Sequence, residues 1–270
     1  MTTLLKIELR KNLTYPTFWI LAGFYLVFLF LVVYAFQGMN WQSANPETGA
    51  LEDVSMGFFA FPMVWRTVGY IAGYMGLFLA ILIIINITNE FSFRTLRQSI
   101  INGQSREEFL FSKLGLVLII SIVATLWVFG TSLIIGGMNS GSEITPMFTD
   151  VHWISAVFMQ VFGYLSLAVF ASVLLRNSGL TVFLYLAYVI IIERIFWLLP
   201  DNIDRFLPAQ SLSTLIPFPF PDQAIPPEGQ AGGFPMLPDQ NFSGVEMVIA
   251  FVWIVGFWGL SYWLIRRRDL

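Results

Sequence analysis

The chain has 270 residues, of which 57 % are hydrophobic, 17 % aromatic and only 11 % charged. A soluble domain is about one quarter charged, so this composition lacks the polar surface to cover a soluble globule of its size and indicates a membrane protein. The absence of cysteine excludes disulfides, thiolate metal sites and cysteine nucleophiles. The single histidine, His152, excludes histidine-rich zinc sites, and a net charge of −3 without a basic tract gives no sign of nucleic acid as a partner.

Residues 1–16 are short and cationic. Leu5, Leu9 and Leu13 recur at i, i+4 and i+8, with Lys6, Arg10 and Lys11 away from that stripe. A helix lying at the membrane interface fits this pattern, and so does a basic tail that only sets topology. Pro16 marks the bend into the first apolar run. A helix needs about 20 mostly apolar residues to cross the hydrocarbon. Six segments meet this: about 17–36, 67–88, 114–136, 153–175, 180–199 and 247–265. Their apolar runs are continuous rather than alternating, which favours helices over barrel strands. The expected fold class is therefore an all-α polytopic membrane protein, a single transmembrane domain over 1–270.

Lysine and arginine set the expected orientation. Eleven of the 14 fall at the termini, in 89–113 and at Arg176, while only Arg66, Arg194 and Arg205 fall on the other side. The positive-inside rule then places both termini in the cytoplasm, in a cell (plasma or inner) membrane. On the outer side, 37–65 reads as a polar irregular loop. Segment 200–244 holds nine of the 13 prolines, yet Phe206, Leu207, Leu212, Leu215, Ile216, Phe218 and Phe220 make its first half apolar. It either dips back into the membrane, where non-helical backbone must be buried in protein or line a cavity, or is an outer loop with apolar anchors.

The cytoplasmic stretch 89–113 carries the strongest local signals. Glu90 and Arg94 are spaced as an i, i+4 ion pair in the favourable order. Phe93, Leu96 and Ile100 share one helical face, with Arg94 and Arg97 beside it. Asn102-Gly103 is a helix stop with glycine available for a left-handed cap. Ser105 and Glu108 have capping-box spacing, and this second helix runs through Lys113 into the third span. The predicted elbow is two helices and a turn. Its apolar stripe is either a docking surface for a cytoplasmic partner or is packed on the protein's own helix ends.

The arrangement Glu90…Arg94-Thr95-Leu96-Arg97…Asn102-Gly103-Gln104-Ser105-Arg106…Lys113 between the second and third spans resembles the coupling loop of the permease subunits of type-2 ABC transporters. The resemblance covers the whole chain: a short N-terminal helix, six spans and an outer segment between spans five and six. It implies a dimer, of identical or related permease subunits, that binds separate ATPase subunits and usually acts as an exporter. It also implies that Glu90, Phe93, Arg94, Leu96, Arg97, Ile100, Gly103, Ser105, Arg106 and Glu108 form or shape the surface that receives the ATPase. No substrate signature is present.

The chain has no phosphate-binding Gly-x-x-x-x-Gly-Lys-Ser/Thr loop, so ATP hydrolysis would belong to another chain, and no enzymatic activity, cofactor or metal is expected. Charge inside a membrane marks ion-coupled carriers. Only Glu193 and Arg194 are candidates here, as an anchor near the outer end, as a contact to the outer segment, or as a transport site. An ion-coupled secondary transporter and a non-transporting scaffold are the alternative expectations.

Overall fold

The computed structural model describes residues 2–38, 42–44, 51–53, 55–141, 147–196, 206–217, 219 and 244–267. Helix α1 (Thr2–Thr14) is followed directly by α2 (Pro16–Gln37). Pro16 occupies the first turn of α2 behind an extended Tyr15, where its missing N–H costs nothing. A two-stranded antiparallel hairpin, β1 (Gln42–Ala44) with β2 (Leu51–Asp53), pairs Ser43 with Glu52. It and the short α3 (Ser55–Phe59) replace part of the irregular loop expected over 37–65. Then come α4 (Val64–Ser92), α5 (Thr95–Ile101), α6 (Arg106–Asn139) and α7 (Trp153–Leu175). Helix α8 (Ser178–Ala187) runs through a π-helical turn (Tyr188–Ile192) into α9 (Glu193–Phe196). Last are α10 (Pro208–Ser213) and α11 (Gly244–Arg267).

Among the described residues five helices, α2, α4, α6, α7 and α11, are long and apolar enough to cross a membrane. The run expected at 180–199 is the shorter apolar helix Ser178–Ile192, continued by α9. Residues 197–199 of that run, Arg205, Phe218, Phe220 and Arg268, and the side chain of Arg194, lie outside the described residues.

Helix α7 is the hub of the bundle, with α4, α6 and α11 packed around it. Its core face includes Val157, Val161, Leu165, Ala168 and Val173. By contrast α2 turns Trp19, Ile20, Val27 and Leu31 outward, and α11 turns out Val248, Phe251, Val252 and Val255. Such surfaces are stable against acyl chains, where helix association depends on close packing rather than on escape from water. Small residues supply that packing. Gly69 of α4 sits against Val157 and Ile216, and Gly163 of α7 against Leu212.

Within 200–244, the described residues 206–217 contribute to this core. Leu212, Leu215 and Ile216 are fully buried, and α10 packs on α7 and α11. The turn at 176–179 is closed locally. Arg176 is left-handed, and the Asn177 side chain accepts a hydrogen bond from the Leu180 N–H.

Candidate functional site

The elbow at 89–113 differs from its expected form in one respect with large consequences. Helix α4 does not continue to Ile100. It ends at Ser92, Arg94 adopts φ 55°, and a separate α5 begins at Thr95. A left-handed non-glycine residue costs about 1–2 kcal/mol, so surrounding contacts must hold it. The expected Glu90–Arg94 pair is therefore not formed. Helix α4 has ended before Arg94, and the Glu90 carboxylate engages Lys11 of α1 and Lys113 of α6 instead.

These residues make a buried polar cluster where α1, α4 and α6 meet. The Lys113 ammonium is 1 % exposed and donates to Glu8 Oε1 at 2.5 Å, Glu90 Oε1 at 2.6 Å and Asn86 Oδ1 at 2.9 Å. Three donors meet three acceptors, so the charge is fully satisfied. Asn86 in turn donates to Asn12 Oδ1 at 2.5 Å, and Asn12 donates back to Glu8 on its own helix. Glu8, Glu90, Lys11 and Lys113 sum to zero charge, which is what makes their burial tolerable. Helix α1 docks through Glu8 and Asn12, not only through leucines. Leu13, the last member of the expected stripe, is exposed.

The second half of the elbow follows local rules. Gly103 has φ 97°, and a Cβ added there would meet no other atom within 4 Å. Gly103→Ala should therefore cost only the backbone penalty, about 1–2 kcal/mol, read as a lower denaturation midpoint in detergent. Ser105 caps α6 reciprocally: its hydroxyl accepts from the Glu108 N–H at 3.1 Å, and its own N–H donates to Glu108 Oε2 at 2.8 Å. Arg106 donates to the carbonyls of Ile265 and Arg266 at 2.9 and 3.2 Å, placing a cation on the C-terminal end of α11. Tyr262 of α11 donates to Glu107 at 2.7 Å. The elbow is thus tied to the last helix as well as to the first.

The ten expected site residues divide accordingly. Glu90 and Leu96 are buried, Ile100 is half-buried, and Arg106 serves the protein's own terminal helix. Ser105, Glu108 and Gly103 shape the turn. Phe93 at 70 %, Arg94 and Arg97 face outward, joined by Ile101 at 75 %, which the helical-face argument did not select. The break at Arg94 rotates α5 relative to α4, so Leu96 and Ile100 turn inward while Phe93 and Ile101 stay out. Between α4 and α5 lies an open recess of about 320 Å³ bordered by Arg94, Arg97 and Arg176. The Arg176 guanidinium stands 5.1 Å from the Phe91 ring centre, a favourable cation–π placement.

Glu193 lies away from this end of the bundle. It is 3 % exposed, and its two carboxylate oxygens accept the N–H groups of Ala209 at 2.9 Å and Gln210 at 2.5 Å. Those are first-turn donors of α10, which have no partner within their own helix. Glu193 therefore contacts the segment after α9, one of the placements expected for it. Among the described residues no group of three or more histidine or acidic side chains is placed to hold a metal ion.

A search among curated proteins returns no match. Residues 30–270, which include the elbow, α3 to α11 and Glu193, match the model of a family described as "Protein of unknown function (DUF2705)", and the chain belongs to that family.

Proposed function

We propose that this protein is the permease subunit of an ATP-driven ABC transporter, acting as an exporter with a separate ATPase. In this reading the chain crosses a plasma or inner membrane six times, with the Ser178–Phe196 run as the fifth span and both termini in the cytoplasm. It pairs with a second permease subunit, identical or related, and performs no chemistry itself.

The observation that carries the reading is the elbow. Phe93, Arg94, Arg97 and Ile101 are displayed at the end of two long helices, beside an arginine-bordered recess. Their base is clamped to α1 by Lys113 and Glu90 and to α11 by Arg106. A connector needs neither feature. A lever does, because force applied to α5 is passed to four helices at once, and alternating access is a rigid-body motion of such helices. The surface it meets on the ATPase is expected to pair acidic side chains with Arg94 and Arg97 around an apolar contact.

Affinity purification from native membranes in mild detergent tests this. An ATP-hydrolysing chain should accompany the wild type and be lost with Arg94→Glu/Arg97→Glu, a pair that leaves the Arg106 contact to α11 intact. If no ATPase ever accompanies the intact protein, the ABC reading fails and transport driven by an ion gradient is the next test.

A further inference from the structure

A second cavity, of about 220 Å³, lies between α4, α7, the π turn and α10. Gly73 on its wall is 19 residues before the end of α4, about 29 Å from the elbow along the helix. Its wall includes Gln160, Glu193, Tyr70, Tyr74, Tyr164 and Ser213. Gln160 is 4 % exposed. Its Nε2 donates to the Leu212 carbonyl at 3.0 Å, which fixes the orientation of the amide. Turning the amide over would set two oxygens against each other. Its Oε1 therefore points the other way, over Gly73, and has no hydrogen-bond partner. A buried acceptor left empty costs about 1–3 kcal/mol, which a ligand bearing a donor would recover.

The rest of the wall narrows the chemistry. The hydroxyls of Tyr164 and Ser213 spend their hydrogens on the carbonyls of Ala209 and Gln210, so they offer lone pairs to the cavity. Glu193 adds a carboxylate, and among the described residues no cationic side chain lines the space. Three tyrosine rings, with electron-rich faces, complete it. At the mouth Tyr74 is 46 % and Ile190 53 % exposed, giving an apolar exit along the bundle surface. The π turn creates the arrangement. Its extra residue shifts the inward-facing position, so that Ile192 is 39 % exposed while Glu193 is buried. Such single π turns recur at functional sites.

We propose that this cavity binds an amphipathic cation: an ammonium group donating to Gln160 Oε1 beside Glu193, with its apolar body leaving past Tyr74 and Ile190. That this ligand is the transported substrate rests on the permease reading; the binding itself does not.

The test is saturable binding of radiolabelled dodecylammonium to the purified protein in phosphatidylcholine nanodiscs, with empty nanodiscs subtracted. Unlabelled dodecylammonium should compete at least about tenfold better than dodecanol or dodecanoate, the worth of one hydrogen bond to a charged group. Gln160→Leu removes the acceptor. Gly73→Ala removes no hydrogen bond but sets a methyl 2.7 Å from Oε1. Each folded variant should weaken binding by about tenfold or more. No saturable component, equal competition by dodecanol, or wild-type affinity in either variant would overturn the proposal, and the competition series needs only wild-type protein. Binding that persists without any co-purifying ATPase would count against the permease reading alone. ATPase capture without binding would count against this site alone.

Discussion

Lys113→Met is expected to destabilise the protein by about 3–5 kcal/mol, because it leaves buried carboxylates without their principal cation. Glu90 would then keep Lys11, but Glu8 would keep only the Asn12 amide, in a site where Lys113 is 1 % exposed. The loss comes from stranded charge rather than from lost packing, since methionine fills a similar volume. Glu8→Gln added to Lys113→Met removes the stranded carboxylate and leaves the neutral Lys11–Glu90 pair, so the double variant should recover part of the loss. Thermal denaturation in mild detergent, followed by size-exclusion chromatography, measures both. An unchanged midpoint for Lys113→Met would show that the cluster does not hold α1, α4 and α6 together.

Glu193→Ala is expected to be the second most damaging single change. It strands the N–H groups of Ala209 and Gln210, both on residues buried in the core, at about 1–3 kcal/mol for each donor. Glu193→Gln should fall between the alanine variant and wild type. The amide keeps one accepting oxygen but presents an N–H to the other backbone donor. Loosening of α10 should show as faster protease cleavage near Pro208–Ser213 along with a lower denaturation midpoint. Equal cleavage of Glu193→Ala and wild type would mean that Leu212, Leu215 and Ile216 alone hold this segment in the bundle.

The helices and their caps were legible because their causes are local. Pro16 opens α2, Gly103 takes a positive φ and Ser105 caps α6 with Glu108, each through residues at most four positions apart. The apolar runs were legible because length and hydropathy alone decide whether a helix can cross a bilayer. The partners of Glu90 were not. Spacing offered Arg94, a neighbour in any regular helix, whereas the structure supplies Lys113 and Lys11, 23 and 79 residues away. The helix break at Arg94 was hidden for the same reason, since arginine is an ordinary helix residue and only tertiary contacts can hold it left-handed.

By itself, then, the sequence determined that this protein is a bundle of apolar helices with a capped, glycine-closed turn at 103–105, because short-range geometry and the cost of polar groups in lipid leave no alternative. Tertiary structure alone decided which faces those helices show. It turned Leu96 inward and Phe93 outward, put Glu8 and Asn12 rather than Leu13 at the buried face of α1, and used a π turn to bring Glu193 onto α10. Each of these depends on a partner far away in the chain, and a charged or amide side chain carries no local mark of whether water, lipid or another residue will satisfy it.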